Sequence, residues 1–386
     1  LQHHLFTHRF TREQYSIANA ASCLDGTTSV YVEGGGKIPI RLLVQQQYRG
    51  KVLSFDEATG QVVARRVIGH YRTPLGGRRL LKLTTQWGRH NSGGIAGPIV
   101  THDHKVLTQD RGWQPAGELQ REERIATGDV RGVDASEAVV LGSLLGDGTI
   151  GRGTHAFGVV HTAANADYLA LKVHALAPFG PRTGQRHSPA NTRAGVKPQE
   201  WLSLRASRWF RELRATWYPA GLKIVPETLT KLSPLAIAVW FLDDGYMRLR
   251  PTRMPRADFA TCGFTKEDNL RLVALLAPYG IHAKVAWRGH WKGHTQLRKR
   301  GYWHLLLDPI STERLAALIA PFVPASMQYK LPEFHRGKFD VRWWAPRVLP
   351  YFDTVVAIPF KQPKRQTKSG WRRKGHGIHP VYCLDV

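Results

Sequence analysis

The sequence predicts a multidomain protein in which an all-β domain is interrupted by an α+β domain made of two similar halves. Three observations predict this arrangement. Short alternating apolar runs, separated by turn-forming residues, fill 23–133, which is typical of a compact all-β domain. Helical periodicity dominates 134–346, and strand patterns return in 347–386. A chain of 386 residues is long enough for two or three domains, each with its own core.

The composition indicates a polyanionic partner. The chain has 55 Lys and Arg residues against 29 Asp and Glu residues, which gives a formal net charge of +26. A surface of this charge attracts nucleic acids or anionic membranes. Because no run of about 18 apolar residues exists, the sequence predicts no membrane-spanning segment. Nucleic acid is therefore the leading partner.

The start of the chain and the cysteines indicate the compartment. Residues 1–22 include several charged residues and no apolar run, which is unlike a secretory signal. Cys23, Cys262 and Cys383 lie far apart and form no CxxC pair. A disulfide framework or a zinc cluster is therefore not expected, and we expect a cytoplasmic protein.

The middle region contains a repeated pattern. One helical run ends in Leu-Leu-Gly-Asp-Gly at 144–148, and another ends in Phe-Leu-Asp-Asp-Gly at 241–245. Each is followed by strand-like and helical runs and then by a lysine near a proline, Lys223 in the first half and Lys330 in the second. Two similar halves in one chain predict a pseudo-twofold domain. Such a domain suits a nearly twofold ligand such as duplex DNA.

A pair of aspartates forms the candidate catalytic centre. Gly142 and Gly146 lie four residues apart, so they share one helix face and would let a second helix approach closely. If the two helices pack in parallel, Asp147 and Asp244 meet at their ends, and two nearby carboxylates need a cation. Mg²⁺ prefers oxygen ligands and would complete a hydrolytic site with water and a phosphate. The alternative is that each Asp-Gly is only a helix end and a turn.

These motifs resemble the paired LAGLIDADG motifs of homing endonucleases. The runs 140–148 and 237–245 carry the resemblance, which covers about 134–346 and is supported by 259–265 and 326–332. It implies two αββαββα-like halves whose antiparallel sheets form a saddle over the major groove of double-stranded DNA. It also implies a monomeric, microbial or phage-encoded enzyme that cuts both strands of a long asymmetric target site and leaves staggered 3′ overhangs.

The LAGLIDADG resemblance also implies a metal site. The last aspartate of each motif, Asp147 or Asp244, would hold Mg²⁺, and Mn²⁺ or Ca²⁺ could substitute for it in binding. The residues that precede them, Gly146 and Asp243, belong to the same predicted metal site.

Further site residues follow from position and charge. By resemblance, Lys223 and Lys330 would lie near the scissile phosphates, and His161 on the first saddle strand would orient water. Basic residues suit contacts with phosphates and base edges. The predicted DNA-binding residues are Arg205, Arg248, Arg250, Arg253, Lys284, Arg288, Lys292, Arg298, Lys364, Arg365, Arg372 and Arg373.

The β-rich flanks carry a second resemblance. Cys23 opens Cys-Leu-Asp-Gly-Thr-Thr, Thr101 and His104 form a Thr-x-x-His pattern, and the chain ends in Val-Tyr-Cys-Leu-Asp-Val at 381–386. A lone cysteine or histidine in a β domain is usually a core residue, but the two together can perform acyl chemistry. Together these pieces resemble an intein of the Hint fold over 23–133 and 347–386.

The Hint resemblance implies an autoprocessing site. Cys23 would be the first intein residue, and Thr101 and His104 would polarise the Ser22–Cys23 amide for an N-to-S acyl shift. Cys383 stands at a position where the family often has Asp.

The same resemblance assigns the ends of the chain. Residues 1–22 would be a remnant of the host protein. The basic segment 361–377 would be a loop between two strands, either a disordered hairpin tip or an arm laid along flanking DNA. No His-Asn pair follows Val386, so we expect a truncated Hint domain that does not complete splicing.

The sequence therefore predicts a site-specific, metal-dependent DNA homing endonuclease embedded in an intein. Two alternatives stay open. One is a catalytically silent DNA-binding protein with the same fold, and the other is an autoprocessing Hint protein that acts only through Cys23.

Overall fold

The chain forms two compact units. The computed structural model describes residues 23–33, 36–87, 97–186, 198–250, 253–289, 301–358, 360–361, 364–367, 370–373 and 380–386. The first unit combines residues up to 131 with 348–386, and the second unit comprises 132–347. The second unit is therefore inserted between two chain segments that together build the first.

The first unit is built from antiparallel sheets. The strands are β1 (Leu24–Asp25), β2 (Ser29–Val32), β3 (Gly36–Pro39), β4 (Lys51–Asp56), β5 (Gln61–Arg66), β6 (Gly69–Pro74), β7 (Leu80–Lys82), β8 (Thr84–Thr85), β9 (Ile99–Thr101), β10 (Lys105–Thr108), β11 (Gly112–Pro115), β12 (Arg124–Gly132), β21 (Val348–Ala357), β22 (Phe360–Lys361) and β25 (Pro380–Asp385). They form a six-stranded sheet with the order β22-β7-β9-β1-β25-β6, a five-stranded sheet with the order β11-β10-β12-β21-β8, and a four-stranded sheet with the order β3-β2-β4-β5.

Alternation of apolar and polar residues builds the core of this unit. In β2, Val30 and Val32 are buried, whereas Ser29 is exposed, as expected for successive side chains on opposite faces. A short helix, α1 (Ile40–Gln45), buries Ile40 and Leu43 in the same core. The first described strand pairs with the last, with Leu24 opposite Tyr382. Cys23, which precedes β1, is thereby brought next to β25.

The basic segment 361–377 contains more regular structure than the predicted loop. Strands β23 (Lys364–Thr367) and β24 (Gly370–Arg373) pair antiparallel, with Lys364 opposite Arg373. Regular pairing therefore extends further into this segment than the loop predicted from the resemblance, because local backbone hydrogen bonds between two short segments can form a hairpin whatever the charge of the side chains.

The second unit runs α-β-β-α-β-β-α twice. The two halves form separate four-stranded antiparallel sheets with the orders β13-β14-β16-β15 and β17-β18-β20-β19. The first half contains α2 (Asp134–Leu145), β13 (Thr149–Ile150), β14 (Phe157–Thr162), α3 (Ala166–Ala175), β15 (Arg182–Arg186), β16 (Gln199–Leu204) and α4 (Arg208–Trp217). The second half contains α5 (Pro234–Asp244), β17 (Gly245–Arg250), β18 (Arg253–Phe259), α6 (Lys266–Leu276), β19 (Ala283–Arg288), β20 (Tyr302–Leu307) and α7 (Pro309–Ile319).

Local sequence sets where the helices begin. Ser233 caps α5 by accepting a hydrogen bond from the Ala236 amide, and Pro234 occupies the first helical position, where its missing N–H is not needed. Thr265 and Asp268 form a reciprocal capping box at the start of α6. These signals fix the helix starts independently of tertiary contacts.

Helices α2 and α5 form the centre of the second unit. Every residue from Leu235 to Leu242 is buried, so α5 is apolar on all sides, which is typical of a helix enclosed by its own protein. No described helix has the length and apolar character needed to span a bilayer.

Candidate functional site

The two central helices meet at glycines. A Cβ atom added to Gly142 would lie 2.4 Å from the carbonyl oxygen of Ala236, and one added to Gly146 would lie 2.5 Å from the Cβ of Asp243. Residue numbers rise in the same direction along both helices at this contact, so α2 and α5 run parallel. The small-residue spacing predicted this close approach, and it brings the two motif ends together.

The two motif aspartates sit in unequal environments. Asp147 follows the end of α2, and its side chain is 42% exposed. Asp244 is the last residue of α5 and is mostly buried. Burial and the charges of Asp147 and Asp243 raise the pKa of Asp244 to about 7, and the nearby lysines offset this only in part. An ionised Asp244 therefore lacks a sufficient positive partner among the described side chains.

Each half places its lysine on its own motif. The Nζ of Lys223 donates to the carbonyl oxygens of Gly148 at 2.8 Å and Gly146 at 3.3 Å. The Nζ of Lys330 donates to Leu242 at 2.6 Å and Phe241 at 3.3 Å. Cations are favourable at the carbonyl end of a helix.

Burial also makes both lysines easier to deprotonate. It lowers the pKa of Lys330 to about 8, against the opposing effect of nearby aspartates, and it lowers the pKa of Lys223 for the same reason. Lys330 can therefore give up its proton at a pH closer to neutral than an exposed lysine does.

His161 lies on the buried face of β14, between two carboxylates. Its Nδ1 is 3.5 Å from Asp147 Oδ2, and its Nε2 is 3.7 Å from Asp243 Oδ1. One ligand atom from each of these three residues lies within 4.8 Å of the others. The resemblance predicted that His161 orients water at the catalytic centre. The structure places its side chain beside Asp147.

Two residues beside this cluster were not predicted from the sequence. Lys172, fully buried, donates from Nζ to both carboxylate oxygens of Asp243 at 2.8 and 2.9 Å. Tyr168 donates from Oη to Asp243 Oδ1 at 2.7 Å. Their i, i+4 spacing on α3 was a weak signal that they share a helix face, but a lysine is normally expected to face water.

The oxygen donors at the motif ends fit a divalent cation. Mg²⁺ favours carboxylate and carbonyl oxygens. Asp244 supplies a carboxylate whose charge is not fully compensated, and Asp147 supplies one whose side chain is 42% exposed. Gly146 offers a carbonyl already shared with Lys223, and the Asp243 carboxylate is already paired with Lys172. Asp147 and Asp244 are thus the better ligand candidates of the four predicted residues.

We predict that Asp244→Asn stabilises the metal-free protein above neutral pH. The folded pKa of about 7 exceeds the usual value near 4, so this group contributes stability below pH 4 that is lost as the pH rises through 7. In thermal melts with EDTA, the variant should gain on the order of 4 kcal/mol over wild type at pH 8 and little at pH 4. A difference that does not change between these pH values would contradict the shifted pKa.

The outer face of the second sheet carries basic side chains. Register pairs Arg248 with Arg256, and it places Lys284 and Asp258 opposite Leu306, so these side chains share a face. Asp258 forms ion pairs with Arg248 and with Arg288. This carboxylate holds two predicted DNA-binding arginines side by side.

The other predicted DNA-binding residues are more scattered. Arg205 and Arg253 are exposed. Two predicted residues lie outside the described part of the chain, Lys292 and Arg298. For five more the backbone is placed but the side chains lie outside the described part: Arg250, Lys364, Arg365, Arg372 and Arg373.

The first unit brings the predicted autoprocessing residues together. The backbone N–H of Cys23 donates to Thr101 Oγ1 at 3.2 Å, and the Thr101 N–H donates to the Cys23 carbonyl at 2.9 Å. His104 is buried and lines a small cavity together with Cys383. Ser22, the other half of the predicted scissile amide, lies outside the described residues.

Cys383 lies directly against Cys23. The Cys383 thiol donates to Cys23 Sγ at 2.8 Å, and this contact is the main reason why the pKa of Cys23 is lowered. Two further neighbours of this sulfur were not predicted from the sequence. Arg78 donates from Nη1 to Cys23 Sγ at 3.7 Å, and Thr73 Oγ1 lies 3.7 Å from the same sulfur. A lowered thiol pKa provides more thiolate for nucleophilic attack.

The middle of the chain is similar to a known family of DNA endonucleases. Residues 137–302 match the model of the LAGLIDADG DNA endonuclease family. The match confirms the resemblance for these residues, which include most of both halves of the second unit.

Individual relatives and structures extend beyond that region. The chain is 26% identical over 337 residues to a RecA protein of Mycobacterium shimoidei, across 83% of this chain and 74% of that protein. Neither unit alone makes up 83% of the chain, so parts of both are shared. Two solved structures are also similar. The homing endonuclease I-WcaI bound to its DNA recognition sequence covers 52% of this chain and 87% of its own, with 18% identity and a TM-score of 0.42. A variant of the Ssp DnaB mini-intein covers 27% and 59%, with 25% identity and a TM-score of 0.23.

Proposed function

We propose that the second unit is a site-specific, double-strand DNA endonuclease carried within an intein-type protein of the cytoplasm. The observation that supports this most directly is the convergence of Asp147 and Asp244 at the ends of a glycine-packed parallel helix pair. The family match of residues 137–302 supports the same class of enzyme. Both halves of the site come from one chain, so we propose a monomer.

The substrate is double-stranded DNA with a long asymmetric target site. The formal net charge of +26 favours a polyanion, and exposed Arg205, Arg253 and Lys284 are suited to phosphate contacts. The two halves differ in sequence at their surfaces, which favours an asymmetric site over a palindrome.

The chemistry is hydrolysis of phosphodiester bonds. A divalent cation, Mg²⁺ in the first place, would be held by Asp147 and Asp244 and would supply Lewis acidity and an activated water. Lys223 and Lys330 would stabilise the charge that develops on the phosphate or tune the attacking water. His161 would orient water beside Asp147.

The test is cleavage of a randomised library of double-stranded DNA. The purified protein in MgCl₂ should cut one family of related sites and leave paired, staggered ends that sequencing detects, and EDTA should abolish the cutting. Salt-dependent binding without any cut would support the catalytically silent DNA-binding alternative. A protein that neither binds nor cuts DNA would contradict both the endonuclease proposal and the DNA-binding alternative.

A second activity is favoured by the geometry around Cys23. The Thr101 hydroxyl contacts the Cys23 amide, and the Cys383 thiol contacts its sulfur. We propose that the first unit is a Hint-type domain in which Cys23 attacks the Ser22 carbonyl carbon. The C–S bond forms, the C–N bond breaks, and the amine of Cys23 takes up the proton. The similarity of parts of both units to one RecA protein supports a combined protein of this kind.

A further inference from the structure

A fully buried polar cluster joins the two halves of the second unit. We name it the Asp243 network, and it comprises Asp243, Lys172, Tyr168 and His161. The Asp243 and Lys172 side chains both have no solvent exposure. Lys172 contacts both oxygens of Asp243 and also donates to Ser143 Oγ at 2.9 Å. Removing one partner of such a buried ion pair destabilises the fold, because the other charge is left without compensation.

The network crosses from one half to the other. Asp243 belongs to α5 of the second half, whereas Tyr168 and Lys172 belong to α3 and His161 to β14 of the first half. Gly146 leaves room for the Asp243 side chain, since a Cβ at position 146 would lie 2.5 Å from the Asp243 Cβ. The carboxylate of one half is therefore held entirely by groups of the other.

The second half has no matching network among its described residues. The strand partners Thr149–Gly158 and Tyr246–Asp258 set equivalent positions in the two halves, and α3 and α6 begin at Ala166 and Lys266. The matched pairs are His161 with Thr261, Tyr168 with Asp268, Lys172 with Leu272, and Asp243 with Gly146.

The residues at those matched positions do different work. Thr261 hydrogen-bonds Asn269, Asp268 caps its own helix, and Leu272 is an apolar core residue. The first half thus supplies a buried lysine to the carboxylate of the other half, and the described residues of the second half supply none at the matched position.

The network also fixes the neighbourhood of His161. The ring lies tilted against Tyr168 with the ring centroids 5.1 Å apart, and its two nitrogens face Asp243 on one side and Asp147 on the other. His161 is 7% exposed. Because Lys172 and Tyr168 hold Asp243 in place, they also fix the position of the carboxylate that faces the His161 imidazole.

We propose that the Asp243 network is a positioning device that makes the two halves unequal, so that the DNA strand served by the first half is cut first. This inference rests on the proposed endonuclease function. Lys172, Tyr168 and Asp243 are positioning residues, because they act on His161 and do not face the substrate. Misplacement of such a group by about 1 Å lowers a rate by about 100-fold in enzymes that rely on orientation.

The test uses the charge-balanced double variant Lys172→Met with Asp243→Asn. Removing both charges with side chains of similar volume avoids a lone buried ion, so the fold should persist, which thermal melts would verify. The substrate is the selected DNA site with a different fluorophore on each strand. Wild type should accumulate one nicked strand first. The double variant should cut that strand about 10- to 100-fold more slowly and the other strand at nearly the wild-type rate.

Two controls define the strands and the background. Lys223→Met should slow the strand assigned to the first half, which identifies it. Leu272→Met, at the position that matches Lys172 in the second half, should leave both rates unchanged. An unchanged ratio of the two strand rates in the double variant would overturn the inference.

A second measurement does not depend on cleavage. In metal-free protein labelled with ¹⁵N-histidine, the signals lost in His161→Gln identify His161. Wild type should show one fixed tautomer, and the double variant should show tautomer exchange or altered shifts. Unchanged His161 signals would overturn the positioning role. If wild type cuts no DNA at all, the proposed endonuclease function fails, and the histidine spectra still decide whether the network positions His161.

Discussion

Replacing Asp147 or Asp244 with Asn should lower the rate of DNA cleavage by about 1,000-fold or more. Asn keeps the shape of the side chain but removes the charge that would hold a divalent cation. Because the two carboxylates lie at the ends of one packed helix pair, loss of either should affect both strands. The measurement is single-turnover cleavage of the selected site in MgCl₂, with both strands labelled.

Controls separate this loss from unfolding or weak binding. Both variants should bind the labelled site with nearly wild-type affinity in CaCl₂ or EDTA, since the outer face of the second sheet is unchanged. Glu267→Gln, an exposed carboxylate on α6, should cut at the wild-type rate. Undiminished cleavage by Asp244→Asn would remove the metal role from this residue.

Replacing Cys23 with Ala should abolish thiol-induced release of residues 1–22. In the wild type, the Cys23 thiol has a lowered pKa because the Cys383 thiol donates to it, and the Thr101 hydroxyl holds its amide. We expect incubation with dithiothreitol to intercept the thioester and leave a chain that begins at Cys23. Intact-mass spectrometry over hours would show the loss of residues 1–22.

The chain supplies its own control for this reaction. Cys262 is the cysteine that takes no part in this contact. It belongs to the second unit, and burial raises its pKa. Cys262→Ala should therefore release residues 1–22 as fast as wild type. Release from Cys23→Ala, or none from wild type, would count against the autoprocessing activity. The endonuclease proposal does not depend on either result.

Much of the candidate site was predictable because it depends on local sequence. The spacing of Gly142 and Gly146 predicted a close helix contact, and the structure shows one with α5. The motif ends predicted that Asp147 and Asp244 lie together, and the charge of Asp147 does act on Asp244. Thr101 was predicted to contact the Cys23 amide, and the structure places it there.

Other features of the site were beyond the reach of local patterns. Asp147 and Asp244 have equivalent motif positions, yet one is well exposed and the other is mostly buried. The resemblance predicted a loop at 361–377, and part of that segment pairs as the hairpin of β23 and β24. The sequence showed two similar halves and gave no sign that a buried ion pair joins Lys172 of the first half to Asp243 of the second.

The sequence by itself determined the helices, the strands and the chemistry available at their ends. Periodicity, caps and turn residues act between neighbours a few positions apart, so they can be read directly from the order of residues. The tertiary structure alone decided which charged groups face each other. Lys172 and Asp243 are 71 positions apart, and a lysine on α3 is expected to face water until a carboxylate from the other half is placed beside it. Burial and long-range pairing set the free energy of such a contact, and both depend on how the two halves pack.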